Sequence, residues 1–401
     1  MGSFSKRSKF NSALIAAGVI CTGGAHAQSS VTLYGVVDMN VEFASHVGTV
    51  PSAANKFNAG PSNNAYRMDS GGLSGSRWGL RGVEDLGNGL KSIFVLESGF
   101  NLDTGTSQQG GRLFGRQAYV GMQSSQYGQL TFGRQYTSMF EGLANFVPAA
   151  FATQYEPIVM LTGANFREDN TVKYTGRFGP VTALAHWSFG TGLALPTTVA
   201  NGPLLGGNGE VPGQFRRDTA YGAALTYISG PVGVAVAYDQ FNPTISNPLN
   251  AAVLGSGSFK KATIAASYAF GQAKIMGGYR WGQNKDQNGS LLERDDLYWI
   301  GANYQVTPAL GLTLEYNYDH VKRFFANTST PNPWQVAFIA DYALSKRTDV
   351  YLTTAYAKNA GLGLDSAMIA YANSLSLGNS YTLASGQSNM LGVAAGIRHK
   401  F

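Results

Sequence analysis

From Val31 to Phe43 the chain alternates with period two. The odd positions are Val31, Leu33, Gly35, Val37, Met39, Val41 and Phe43; the even ones are Thr32, Tyr34, Val36, Asp38, Asn40 and Glu42. One apolar and one polar face along an extended segment is the signature of a β-strand at a boundary between two environments. The alternation is clearer later on. Leu310, Leu312, Leu314, Tyr316 and Tyr318 alternate with Gly311, Thr313, Glu315, Asn317 and Asp319. Trp334, Val336, Phe338, Ala340 and Tyr342 alternate with Gln335, Ala337, Ile339, Asp341 and Ala343. Similar segments lie near 76–86, 89–101, 112–123, 128–136, 169–177, 180–189, 218–229, 231–241, 259–270, 272–284, 295–306, 348–358 and 391–401. The pattern therefore predicts sixteen strands.

The connections alternate too. Every second one is short and turn-like: Gly87-Asn88-Gly89, Ser125 to Gly128, Phe178-Gly179-Pro180, Ser229-Gly230-Pro231, Gly271-Gln272, Thr307-Pro308-Ala309 and Ser345 to Thr348. The intervening ones are mostly long and rich in Gly, Asn, Ser and Pro, as at 44–75, 190–217, 242–258 and 359–389. Short turns at one end and long loops at the other are expected of a membrane barrel. A closed barrel with this many strands has an interior too wide for side chains to fill, so its centre is wet. The apolar faces must then point outward into lipid, where a closed ladder leaves no backbone group unpaired. Aromatics near strand ends, Tyr316, Tyr318, Trp334 and Tyr342, fit interfacial girdles. The expected fold is an all-β, sixteen-stranded antiparallel transmembrane β-barrel.

Composition narrows the class further. Only 13% of residues are charged, 12% are aromatic, and 51 are glycine. No apolar run of about 18 residues occurs beyond the N-terminus, so no helical span is expected. The N-terminus itself reads as a signal peptide over residues 1–27: Lys6, Arg7 and Lys9, an apolar stretch from Ala13 to Ile20, then Ala25-His26-Ala27 as a cleavage site. The barrel occupies 28–401. Cleavage removes Cys21, the only cysteine, so the mature chain can form neither a disulfide nor a thiolate metal site. It also removes three basic residues and no acid, leaving 26 basic and 23 acidic side chains. That balance is too mild for a nucleic-acid partner, and no basic cluster is visible.

One connection differs from the rest. Residues 137–166 carry only two charges, Glu141 and Glu156, among Met139, Phe140, Leu143, Phe146, Val147, Phe151, Ile158, Val159, Met160, Leu161 and Phe166. A connection this long is usually functional, and one this apolar must pack against protein. The space available to it is the barrel interior, so this third long loop is expected to fold inward.

Several motifs together resemble the Gram-negative trimeric general porins, particularly the β-proteobacterial kind. They are Ser30 to Gly35, Gly75-Ser76-Arg77-Trp78-Gly79-Leu80-Arg81-Gly82-Val83-Glu84-Asp85-Leu86-Gly87, and Gly115-Arg116-Gln117-Ala118-Tyr119-Val120-Gly121. Further matches are Phe132-Gly133-Arg134-Gln135-Tyr136, Asn170 to Tyr174, and the ending Gly396 to Phe401. The resemblance covers essentially the whole mature chain. It implies an outer-membrane homotrimer with a water-filled pore in each subunit and a C-terminal Phe401 strand read by the barrel assembly machinery. Membrane lipid and lipopolysaccharide are the surroundings it implies. The family's usual acidic loop signature is absent, so Glu141 and Glu156 stand as the acids available to the constriction.

Basic residues are expected opposite that loop. Arg77 and Arg81 alternate with Trp78 and Leu80, and Lys173 with Val172 and Tyr174, so all three should face water. A charge on the lipid side would cost roughly 2–4 kcal/mol at mid-depth. By the resemblance, Arg116 and Arg167 join Arg77, Arg81 and Lys173 in an arginine-lined wall. Arg134 shares parity with Leu130 and Phe132, and its strand borders the trimer axis in the family, which makes it a candidate interface residue. No cofactor or metal is expected. The four histidines of the mature chain, His46, His186, His320 and His399, stand in no recognisable Ser-His setting, and no HExxH, nucleophile elbow or P-loop occurs. The expected function is passive diffusion of small hydrophilic solutes and ions with a mild preference for anions, since arginines outnumber acids near the opening. The alternative is a substrate-specific channel of the same architecture.

Overall fold

The computed structural model describes residues 30–195, 202–325, 329–364 and 381–401. The expected signal segment 1–27 lies outside them. In chain order the strands are β1 (Ser30–Val47), β2 (Asn63–Ser70), β3 (Arg77–Gly87), β4 (Leu90–Gly99), β5 (Gln117–Ser124), β6 (Gly128–Tyr136) and β7 (Arg167–Phe178). Then follow β8 (Val181–Ser188), β9 (Leu193–Leu195), β10 (Leu204–Gly207), β11 (Ala220–Ser229), β12 (Val232–Phe241), β13 (Thr244–Ser246) and β14 (Val253–Ser256). The last seven are β15 (Ser258–Phe270), β16 (Ala273–Lys285), β17 (Leu291–Gln305), β18 (Leu310–Phe324), β19 (Trp334–Ala343), β20 (Thr348–Lys358) and β21 (Asn389–Lys400). Two short helices, α1 (Ser138–Leu143) and α2 (Ile158–Thr162), interrupt the connection between β6 and β7.

Every barrel pairing is antiparallel, and the ladder closes on itself. β21 pairs with β1 from Val36 opposite Lys400 to Ala44 opposite Gly392. Phe401 and Gly35 then exchange both backbone hydrogen bonds at 3.1 Å. β2 and β3 both lie beside β1, β2 along Met39–Val47 and β3 along Ser30–Val36, so they form one broken stave and the barrel has sixteen.

Alternation decides which way each side chain points. In β1, Val31, Leu33 and Val41 are exposed while Asp38, Asn40 and Glu42 are buried, and β12 and β20 repeat the pattern. The greasy residues are on the outside. Outward rings gather into bands, such as Tyr316, Trp334 and Tyr356 at centroid separations of 6.1 and 5.6 Å. The turn at Gly87-Asn88-Gly89 places three successive residues at positive φ (86°, 52° and 75°), the geometry that suits glycine and asparagine at a tight hairpin.

Two parts of the expected long connections are ordered strands. Residues 63–70, read from sequence within the 44–75 loop, are β2; Tyr66 and Met68 point outward and extend the barrel on the long-loop side. The pattern there is cut short by the glycine- and serine-rich segment 71–76, which is why it escapes a periodicity argument. Residues from 190–217 and 242–258 contribute β9, β10, β13 and β14, a separate four-stranded sheet in the order β14-β13-β10-β9. Leu193, Leu195, Leu205 and Ile245 pack there against Phe241 and Phe259 at the ends of barrel strands.

The long apolar connection does fold inward. Met139, Leu143, Phe146, Val147, Met160 and Leu161 form one buried cluster with Ala224, Ala235, Ala237 and Ala265 on the inner wall, together with Leu184, Leu297 and Trp299. Small wall residues make room for the loop's large ones. Polar bonds fix its course: Trp299 Nε1 donates to Phe146 O at 2.8 Å, Asn303 Nδ2 to Pro148 O at 2.9 Å, and Tyr155 Oη to Glu42 Oε1 at 2.7 Å. The fit is close at Gly142, where an added Cβ would stand 2.6 Å from the Ala224 Cβ. Gly142→Val should therefore push α1 off the wall and destabilise the barrel by about 1–3 kcal/mol. The midpoint of heat denaturation in detergent reads this out, and adding Ala224→Gly should recover part of the loss.

Candidate functional site

The wall facing the inward loop is built across five neighbouring staves. Arg77 opens β3, Glu97 lies in β4, Arg116 directly precedes β5, Tyr136 ends β6 and Arg167 opens β7. Glu97 gathers the first two cations: Arg116 Nε donates to its Oε1 at 2.8 Å, and Arg77 Nε lies 3.6 Å from its Oε2. Tyr34 Oη donates to the same Oε2 at 3.0 Å. The Tyr136 hydroxyl bridges onward, accepting from Arg116 Nη2 at 2.9 Å and from Arg167 Nη2 at 3.1 Å. Arg167 also lies 4.8 Å from the ring centroids of both Tyr136 and Phe166.

The loop presents rings to this row. Tyr136, Phe140 and Phe151 stack in sequence at centroid distances of 4.3 and 4.2 Å. Between row and loop lies a cavity of about 270 Å³ lined by Arg77, Arg116 and Arg167 on one side and Phe140, Phe151 and Ile158 on the other. Three guanidinium groups thus line this opening, and its carboxylate, Glu97, pairs with two of them.

The other expected wall residues sit elsewhere. Arg81 is exposed and stacks over Tyr34 at 5.8 Å; four residues along β3, about 13 Å from Arg77, it lies toward the short-turn end. Lys173 is buried, its Nζ donating to Glu141 Oε1 at 2.7 Å and Tyr136 O at 3.0 Å, so it ties α1 to the wall. The two loop acids part company. Glu141 remains about one-third exposed beside Lys173. Glu156 is buried beneath the loop, accepting from Ala149 N–H at 3.2 Å, and does not line the cavity. Burial and the neighbouring Glu315 carboxyl raise its proton affinity well above the usual carboxylate range. Its carboxyl is turned away from the opening. Arg134 pairs with Ala118 on the outward-facing register, yet its guanidinium is held within its own chain by Gly115 O at 2.7 Å and Asp169 Oδ1 at 2.8 Å.

Sequence reasoning missed three features. Tyr136 as the bridge between guanidinium groups escaped because a bulge between Gly133 and Gln135 breaks the parity count. Arg112, which shares Asp169 with Arg134, lies in a loop where parity has no meaning. The third is a histidine setting that the spacing along the chain hides: His186 Nδ1 lies 2.9 Å from Ser138 Oγ, and its Nε2 lies 3.2 Å from Glu168 Oε2. Ser138 is wholly buried, so its hydroxyl is not presented to a substrate. Phe401, the expected assembly signal, rests its ring on Gly35, where any added Cβ would meet Phe401 Cζ at 2.3 Å.

Known proteins share this architecture. Residues 12–362 match a family described as Gram-negative porin. An outer membrane porin protein of Bordetella pertussis is 34% identical over 272 residues, covering 64% of this chain and 68% of that one. Outer membrane porin protein 32 of Delftia acidovorans is 29% identical over 403 residues, covering 97% and 99%. Among solved structures, the anion-selective porin from Comamonas acidovorans superposes with a TM-score of 0.69 at 24% identity, covering 93% of this chain and all of that one.

Proposed function

The chain belongs to the Gram-negative porin family, and from that premise we propose a general diffusion pore whose constriction favours anions. It is an outer-membrane channel protein. The observation that carries the preference is the row Arg77, Arg116 and Arg167 balanced by Glu97 alone, across from a loop face whose second acid is buried away from the opening.

The Debye length in physiological salt is about 8 Å, comparable with the radius of a narrow pore, so these charges act on each ion that passes. Anions are drawn in and cations held back, while the barrel supplies a wet path without chemistry or energy input. Arg81 extends the basic lining toward the short-turn mouth. Glu141 with Lys173 fixes the loop rather than the field. The mature chain begins after residue 27 and assembles as a homotrimer, with Arg134 near the subunit boundary. Lipopolysaccharide surrounds the assembly, and Phe401 closes the strand that the assembly machinery reads.

Planar-bilayer reversal potentials across a potassium chloride gradient test the preference, and the expected sign is that of chloride. Liposome swelling tests the generality: rates for unrelated neutral sugars should fall smoothly with size. Saturable block by one sugar or acid would favour the substrate-specific alternative, and a cation-signed potential would overturn the assignment of the arginine row.

A further inference from the structure

Behind α1 three strands bring Glu168 of β7, His186 of β8 and Asp239 of β12 to one point in the wall. All three side chains are buried, and His186 Nε2, Glu168 Oε2 and Asp239 Oδ2 lie within 4.8 Å of one another. His186 Nε2 is 3.2 Å from the glutamate oxygen and 3.6 Å from the aspartate oxygen. None of these three inward atoms has a hydrogen-bond partner outside the cluster.

Their outward atoms, by contrast, are all engaged. Asn165 Nδ2 donates to Glu168 Oε1 at 2.7 Å and to Asp239 Oδ1 at 2.8 Å. His186 Nδ1 faces Ser138 Oγ at 2.9 Å. Supporting groups that hold each side chain by its far atom and leave the near atom bare are the arrangement metal centres use to orient their ligands. We propose that Glu168, His186 and Asp239 form a site for one divalent transition-metal ion of the zinc class.

The distances fit the chemistry. Ligands about 2.0–2.1 Å from a tetrahedral ion stand ~3.3 Å apart, close to the two measured edges, with the fourth position left to water. One imidazole and two carboxylates suit a borderline ion better than calcium, which takes six to eight oxygens. Two carboxylates and a neutral imidazole carry a charge of −2, which the ion neutralises. Lys173 and Lys261 are the cations near enough to act on the cluster, and they oppose binding. Ser138 N–H also reaches His186 Nδ1, at 3.1 Å. With Nδ1 accepting from that N–H the ring proton is on Nε2; loading therefore moves this one proton from Nε2 to Nδ1, where Ser138 Oγ at 2.9 Å accepts it in place of the Ser138 N–H bond. Because Ser138 begins the inward loop and Asn165 ends it, the ion clamps both ends of the constriction.

Untagged protein in detergent, stripped with chelator and titrated with cobalt(II), tests this. One equivalent per chain should give a visible tetrahedral absorption band that zinc(II) bleaches. Glu168→Gln and Asp239→Asn should each weaken binding more than 100-fold, and Asn165→Ala should weaken it 10–100-fold. Circular dichroism establishes that each variant keeps the barrel. If a carboxylate variant does not fold, anomalous diffraction from zinc-soaked crystals of the parent decides, with a peak expected between the three atoms. No band and no peak, or a band unaltered in both carboxylate variants, overturns the site and leaves the cluster holding a proton only.

Discussion

An Arg167→Glu channel should shift the anion-to-cation permeability ratio about fourfold toward cations. The substitution changes the wall by two charge units beside the cavity. At ~8 Å in water that is worth about 1 kcal/mol, reduced by one Debye length of screening to about 0.4 kcal/mol. The shift has opposite sign for anion and cation, so their ratio moves by about 0.8 kcal/mol, or fourfold. Arg167→Gln should give about half that change in energy, a twofold shift. Tyr136 keeps its bond from Arg116 in both variants, so the row survives and the field alone is altered. Reversal potentials in a salt gradient measure it directly. Unchanged values in both variants would remove Arg167 from the conducting path.

The largest effect on stability is expected at Asp38, which sits where β2 breaks from β3. Its Oδ1 accepts from Gly72 N–H at 3.0 Å and from Tyr351 Oη at 2.5 Å. Its Oδ2 accepts from Leu73 N–H at 3.0 Å and Ser74 N–H at 2.8 Å. One wholly buried carboxylate thus satisfies three backbone donors and a phenol. Asp38→Ala would orphan all four. Each buried unsatisfied group costs about 1–3 kcal/mol, and loss of one partner from a buried charged network about 3–5 kcal/mol. A loss of about 4 kcal/mol is therefore expected, read as a lower heat-denaturation midpoint in detergent, while Asp38→Asn should retain part of the difference. A midpoint within a degree of the parent would mean that segment 71–76 is held by other contacts.

These two residues divide the question of what the chain declares about itself. Both were visible as inward-facing charges, Asp38 by its place among the even positions of β1 and Arg167 by the motif resemblance. What each charge does depends on partners that spacing along the chain does not reveal. Asp38 looks like a pore acid and is a structural clasp. Glu156 looks like a constriction acid and is a buried group that accepts from the loop's own backbone. Lys173 looks like part of the wall and is an anchor for α1.

The outward and inward faces, the alternation of short turns and long loops, and the inward course of residues 137–166 are all written in the chain's own pattern. Each follows from a local or periodic rule: side chains of a strand alternate between two solvents, and a long apolar loop cannot remain in water. Which charges are spent on neighbours and which remain for passing ions is settled by the folded barrel. Glu97 finds Arg116 nineteen positions away and Glu168 finds His186 across a hairpin, while Asp38 finds Tyr351 from the far end of the chain. Such pairings are set by barrel closure and strand register, which bring together residues that no spacing along the chain connects.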